Sequence, residues 1–106
     1  MERIERIKDM EQRLDMSRQA LDGLEEALAV YESVQEDYQT LCDYYESHLW
    51  MEDFEADEAG KLPPELKRGV LSEDAVYDLI TDNHNLMVRM LKVITGELEN
   101  KTRRKP

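Results

Sequence analysis

Ile7-Lys8-Asp9-Met10-Glu11-Gln12-Arg13-Leu14-Asp15-Met16-Ser17-Arg18-Gln19-Ala20-Leu21-Asp22-Gly23-Leu24 returns an apolar residue every three or four positions, with charge between. That spacing is the period of a helix with one apolar side, and not the alternation of a strand. With Ile7 at position a of a seven-residue repeat, the a positions read Ile7, Leu14, Leu21, Leu28, Gln35, Cys42 and Leu49. The d positions read Met10, Ser17, Leu24, Tyr31, Tyr38 and Tyr45, and position g adds Ala20, Ala27, Val34 and Leu41. A seam held over several heptads predicts helix-on-helix, coiled-coil-like packing. Around Gln35 the apolar content slides from a to g, as the drift of a straight helix against a 3.5-residue repeat requires. No proline and only Gly23 among the glycines interrupt Glu2 to Ser47, so one helix of about residues 2–47 is expected, spanning roughly 65–70 Å.

Further along, Ser47 is the expected break and N-cap of a short second helix ending at Gly60, with acids in its first turns where the helix dipole favours them. Lys61-Leu62-Pro63-Pro64 is a rigid connector, and Glu65 to Gly69 is expected to form a single helical turn. Ser72 then caps a last helix of about residues 73–100, with Glu73 and Asp74 in its first turn and Leu71 stapled onto it. Its stripe reads Val76, Leu79, Ile80, Leu86, Met87, Met90, Leu91, Ile94 and Leu98, with Asn83 in the middle. The expected fold is all-α: a long antiparallel helical hairpin with a short helix and proline-containing connector at the turn. One helical domain covers 1–100, and 101–106 form a basic disordered tail.

A last helix of about 28 residues reaches roughly 42 Å, so part of the first helix is left uncovered. That part carries Ile4, Ile7, Met10, Leu14 and Leu21. An apolar stripe left in water marks a partner surface, and a homodimer through the first helix is the expected use of it.

The 106 residues carry a net charge of −11, unevenly spread. Residues 1–47 hold 13 acids against 5 bases, 48–60 hold 5 acids and no base, and 101–106 hold 4 bases and no acid. Such a body repels phosphates, so no nucleic-acid partner is expected, and a basic protein surface would be attracted. The single cysteine, Cys42, excludes an internal disulfide and fits a reducing compartment. The first residues lack the apolar run of a signal peptide, and nothing approaches the length of a membrane span. A cytoplasmic protein is expected.

Chemistry-bearing constellations are weak. Asp53, Glu55 and Asp57 mimic the start of an EF-hand loop, but its sixth and twelfth places fall on Glu58 and Pro64 in place of glycine and glutamate. His48 and Glu52 offer two metal ligands one turn apart, without a third. All-helical nucleotide pyrophosphohydrolases hold magnesium on inward-facing acids. The nearest echoes, Glu2-x-x-Glu5 and Glu73-Asp74-x-x-x-Asp78, lie mainly off the apolar stripes. No metal, cofactor or catalytic residue is expected, and the chain reads as a non-enzyme. Trp50 reads as an anchor for the turn, with a partner hot spot shared with Leu49 and Phe54 as the sharper reading.

Two further stretches carry a likeness. They are Tyr44-Tyr45-x-Ser47-x-x-Trp50-Met51-x-Asp53-x-Glu55-Ala56-Asp57-Glu58-Ala59-Gly60-Lys61-Leu62-Pro63 and Leu66-Lys67-Arg68-Gly69-Val70-Leu71-Ser72-Glu73-Asp74-Ala75-x-Tyr77-Asp78-Leu79. With Met1-Glu2-Arg3-Ile4-x-Arg6-Ile7, they resemble a family of small bacterial proteins catalogued as a domain of unknown function. The resemblance spans nearly the whole chain. It implies a bacterial cytoplasmic protein and carries over no activity, cofactor or site. Positioned loops carry function more often than packing faces do, which makes Trp50, Asp53, Asp57, Lys67, Arg68 and Asp78 the candidate interaction face.

The leading functional reading is a protein-protein interaction or adaptor module acting through helix faces, with an unknown protein partner. The alternatives are an acidic, nucleic-acid-mimicking inhibitor of a basic partner and a metal-dependent hydrolase of the pyrophosphohydrolase type.

Overall fold

The computed structural model describes residues 2–104. The chain is all-helical, with α1 at Arg3–Ser33, α2 at Gln35–Tyr45, α3 at His48–Glu58, a 3-10 turn at Gly69–Leu71 and α4 at Ala75–Arg103. The order is the expected one of long helix, short helix, proline connector and long helix, except that the first helix is divided into α1 and α2. Two compact units are distinguished, Met1–Gln39 and Thr40–Pro106.

The first unit is dominated by α1. Its residues are good helix formers, and its exposed faces carry two i,i+4 ion pairs. Arg13 Nε lies 3.0 Å from Asp9 and Arg18 Nη1 lies 3.5 Å from Asp22. Both pairs are solvated, so each adds only tenths of a kcal/mol (about 0.3–0.5). No residue of α1 is buried.

The expected continuous helix over 2–47 is interrupted at Val34, which is neither proline nor glycine. In an unbroken helix Val30 O would accept from the amide of Val34. Here the Ser33 hydroxyl donates to Val30 O at 2.7 Å, and the Val34 amide turns to Tyr31 O at 3.3 Å. The Gln35 side-chain amide also donates to Tyr31 O, at 3.4 Å. Serine bonding back onto its own helix competes with the ladder and bends it. Regular bonding resumes when Tyr38 N donates to Val34 O at 2.9 Å.

In the second unit, Ser47 has the extended backbone of an N-cap, but its hydroxyl makes no cap bond to α3. It donates instead to Tyr44 O at 2.7 Å, closing the end of α2. The expected stop at Gly60 is met. Gly60 has φ +69°, its amide donates to Asp57 O, and Lys61 N donates to Ala56 O, both at 3.0 Å. These are the two bonds of a Schellman ending, and the left-handed residue between them favours glycine.

The single helical turn expected over Glu65 to Gly69 is replaced by two smaller devices. A turn closes from Leu66 N to Pro63 O at 3.1 Å, and a 3-10 turn forms over Gly69–Leu71. Pro64, at the second place of the Pro63–Leu66 turn, has the fixed φ which that turn requires. The 3-10 turn packs against both α3 and α4. Ser72 Oγ accepts from Ala75 N at 3.2 Å, as a capping serine would, but α4 begins two residues later than expected, with Asp74 as its N-cap residue and Glu73 ahead of it. Leu71 and Val76, the positions that a hydrophobic staple joins across such a cap, are the two buried apolar residues among those described, 6% and 3% exposed.

On α4 the half-buried stripe continues through Ile80, Asn83, Met87 and Met90, narrower than expected. Leu79, Leu86, Leu91, Ile94 and Leu98 stay exposed. The helix also runs through Lys101, Thr102 and Arg103, where the basic tail was expected to begin. Lys105 and Pro106 lie outside the described residues.

Candidate interaction site

The sequence points to two surfaces, and each is described within its own unit. The first is the connector face. Trp50, Asp53 and Asp57 stand on α3, Lys67 and Arg68 precede the 3-10 turn, and Asp78 lies in the first turn of α4.

Trp50 is half-buried in an aromatic run. Its ring stacks on Phe54, one turn along α3, with centroids 5.2 Å apart and planes 17° from parallel. Tyr45, from the end of α2, meets it edge-on at 5.2 Å and 72°. Both arrangements suit the ring quadrupoles. The indole N–H donates to Val70 O at 2.9 Å, which pins the 3-10 turn onto α3. Leu49, expected on the same face, is half-exposed.

Two carboxylates of α3, Asp53 and Asp57, are engaged. Asp57 accepts from Arg68 Nη1 at 2.6 Å, an ion pair whose side chains are 25% and 33% exposed. Asp53 accepts from the Tyr44 hydroxyl at 2.6 Å, tying α3 back to α2. Desolvation of Tyr44, then its hydrogen bond to the Asp53 carboxylate and that group's negative charge, push the phenol up to about 12. All three causes act against forming a phenolate. Lys67 and Asp78 are exposed. Three bonds therefore join α2, α3 and the connector, and they use Trp50, Asp53, Asp57 and Arg68 of the six candidates.

Neither Tyr44 nor the carbonyl of Val70 stands among the six candidate residues read from the sequence. Tyr44 sits two helical ends away from Asp53, across the Ser47 break, so no single-helix spacing relates them. Among the described residues, no three His, Cys, Asp or Glu side chains gather closely enough to hold a metal ion. The Cys42 thiol is free and half-buried.

The sequence matches the family described as Domain of unknown function (DUF4298) over residues 7–93. The chain belongs to that family. The DUF4298 match takes in the connector with its three bonds and the seam of α1 from Ile7 onward, and leaves Ile4 outside. No curated protein and no solved structure matches the chain.

The second surface is that seam. Ile7, Leu14 and Leu21 are 52%, 61% and 51% exposed, and Ile4, Met10, Leu24 and Leu28 are exposed with them. Farther on, at Tyr31, Gln35 and Tyr38, the residues become half-buried. Acids flank the later part of the helix, where Asp22, Glu25 and Glu26 line a shallow depression with Ala29. No helix among the described residues is long and apolar enough to cross a membrane.

Proposed function

We propose that this DUF4298 chain is a non-enzymatic interaction module of the cytoplasm, which acts through helix faces and pairs with a second copy of itself along α1. The exposed seam from Ile7 to Leu28 carries this reading. A helix that lived in water would do as well with lysine, glutamate and glutamine at those positions. An apolar row interrupted only at Ser17 gains when another surface covers it. The connector supports the same reading from the other side, because its conspicuous aromatic and charged residues are engaged with one another.

Sedimentation velocity on the full chain tests this. The wild type is expected to sediment as a dimer at micromolar concentration. Leu14→Glu and Leu21→Glu are expected to sediment as monomers, with Trp50 fluorescence unchanged because the connector lies outside the seam. A wild type that stays monomeric at tens of micromolar would overturn the reading.

A further inference from the structure

The charge along α1 is lopsided. All five of its cations, Arg3, Arg6, Lys8, Arg13 and Arg18, come before Gln19. From Gln19 to Ser33 the helix carries Asp22, Glu25, Glu26 and Glu32 and no cation. Two copies laid side by side in the same direction would bring like ends together. The first half also holds Glu5, Asp9, Glu11 and Asp15, so its net charge is +1 against −4 for the second; laid in opposite directions, the cation-bearing half of each faces the acidic half of the other and the two acidic halves are kept apart.

We propose that a second copy of this chain docks antiparallel along α1, in the register that sets Ile7 against the partner's Leu24. The proposal rests on the self-association argued above and adds its direction and register. An antiparallel pair packs a against d and sets e beside e and g beside g. In this register Ile7 meets the partner's Leu24, Met10 meets the partner's Leu21, and Leu14 meets the partner's Ser17. Symmetry repeats the three layers. The overlap runs from Arg3 to Leu28, about 39 Å of helix.

The flanking charges select the register. Here Glu11 at e lies beside the partner's Arg18, twice by symmetry, and Arg6 and Arg13 at g lie beside the partner's alanines. Sliding by one heptad toward longer overlap sets Glu11 beside the partner's Glu25 and Arg18 beside the partner's Arg18. It also draws the half-buried Tyr31 into the seam. Sliding the other way sets Glu11 beside the partner's Glu11 and Arg13 beside the partner's Arg13. A parallel pair gains Arg6 beside the partner's Glu11, but meets Arg13 beside the partner's Arg18. Arg18 is free to turn outward, since its contact to Asp22 is long at 3.5 Å and both side chains are more than 60% exposed.

Spin labels on the full chain read the direction. In a Cys42→Ser background, one label is placed through Glu5→Cys and, separately, through Asp15→Cys. The register separates the two labels at residue 5 by about 32 Å along the axis and those at residue 15 by about 2 Å. Arg18→Glu supplies a second readout. It turns the attraction to Glu11 into repulsion at two sites and is expected to weaken the dimer roughly tenfold at low salt, with Glu11→Arg added to it restoring the affinity.

A short distance at residue 15, a long one at residue 5 and a weaker Arg18→Glu dimer support the proposal. Equal distances at both positions, with an Arg18→Glu dimer that tightens through Arg13, would overturn the direction and leave the interaction reading standing. A wild type with no dimer at all would remove both.

Discussion

Replacing Trp50 by phenylalanine removes one hydrogen bond and keeps a ring; replacing it by alanine removes both. The indole N–H holds Val70 O at 2.9 Å, and an intramolecular bond of this kind contributes about 1 kcal/mol. The stack on Phe54 and the edge contact with Tyr45 each add about 0.5–1.5 kcal/mol, toward the lower figure for a half-buried ring. Trp50→Phe is therefore expected to cost about 1 kcal/mol and Trp50→Ala about 2–3 kcal/mol. The loss should appear where the indole acts. Leu71 N and Ser72 N are bonded to Arg68 O and Gly69 O at 3.0 and 3.1 Å, inside the turn that Trp50 pins. Native-state amide exchange at these two residues should quicken about fivefold in Trp50→Phe and about 30- to 160-fold in Trp50→Ala, while the amides of α1 keep their rates. Equal acceleration in the two variants would show that the stacked rings add nothing. Unchanged exchange in Trp50→Ala would refute the clamp altogether.

The Asp57–Arg68 pair should show a coupling of about 1 kcal/mol in a double-mutant cycle of Asp57→Asn and Arg68→Gln, read from urea unfolding, because both side chains are only partly solvated. Gly60→Ala should cost about 1–2 kcal/mol through its φ of +69°, with no steric clash because nothing lies within 4 Å of the added carbon; thermal melts followed by circular dichroism measure it. Tyr44 gives a pH dependence. A phenol raised from 10 to about 12 in the fold contributes stability that is whole below pH 10 and is lost as pH climbs toward 12. Between pH 9 and 11.5 the melting temperature of the wild type should fall further than that of Tyr44→Phe.

What could be read from the sequence was what depends on neighbours in the chain. The period of Ile7, Leu14, Leu21 and Leu28 is a property of spacing, and it yields a helix whatever covers it. The stop at Gly60 and the start at Ser72 follow from backbone conformation and orphaned amides within one turn. The break at Val34 was illegible because no breaker marks it. It arises from the Ser33 hydroxyl and the Gln35 amide taking carbonyls that the helix would otherwise use, a contest between bonds of nearly equal strength. At the connector, Trp50, Asp53, Asp57 and Arg68 stood out by residue type. Their partners are set by how α2, α3 and the 3-10 turn meet, and spacing along one helix does not carry that information.

The two surfaces differ in what their residues still have to offer. At the connector, the indole donor, the carboxylates of Asp53 and Asp57 and the guanidinium of Arg68 already have partners, and a ligand would have to break bonds in order to bind there. Along α1 only the long Arg18–Asp22 contact, at 3.5 Å, has to give way. Ile7, Met10, Leu14, Leu21 and Leu24 are exposed, and covering them releases their water. Only Leu71 and Val76 are buried among the described residues, one in the 3-10 turn and one at the start of α4, so α1 owes its helicity to propensity and solvated ion pairs. Those terms are marginal for a lone helix, which ties the rigidity of α1 to whatever covers its seam. The acids of α1 then have a role beyond solubility. They run along both halves, but only the first half holds cations to balance them, so under the proposed pairing one direction of approach is cheaper than the other and the seam acquires a polarity that its leucines alone cannot give it.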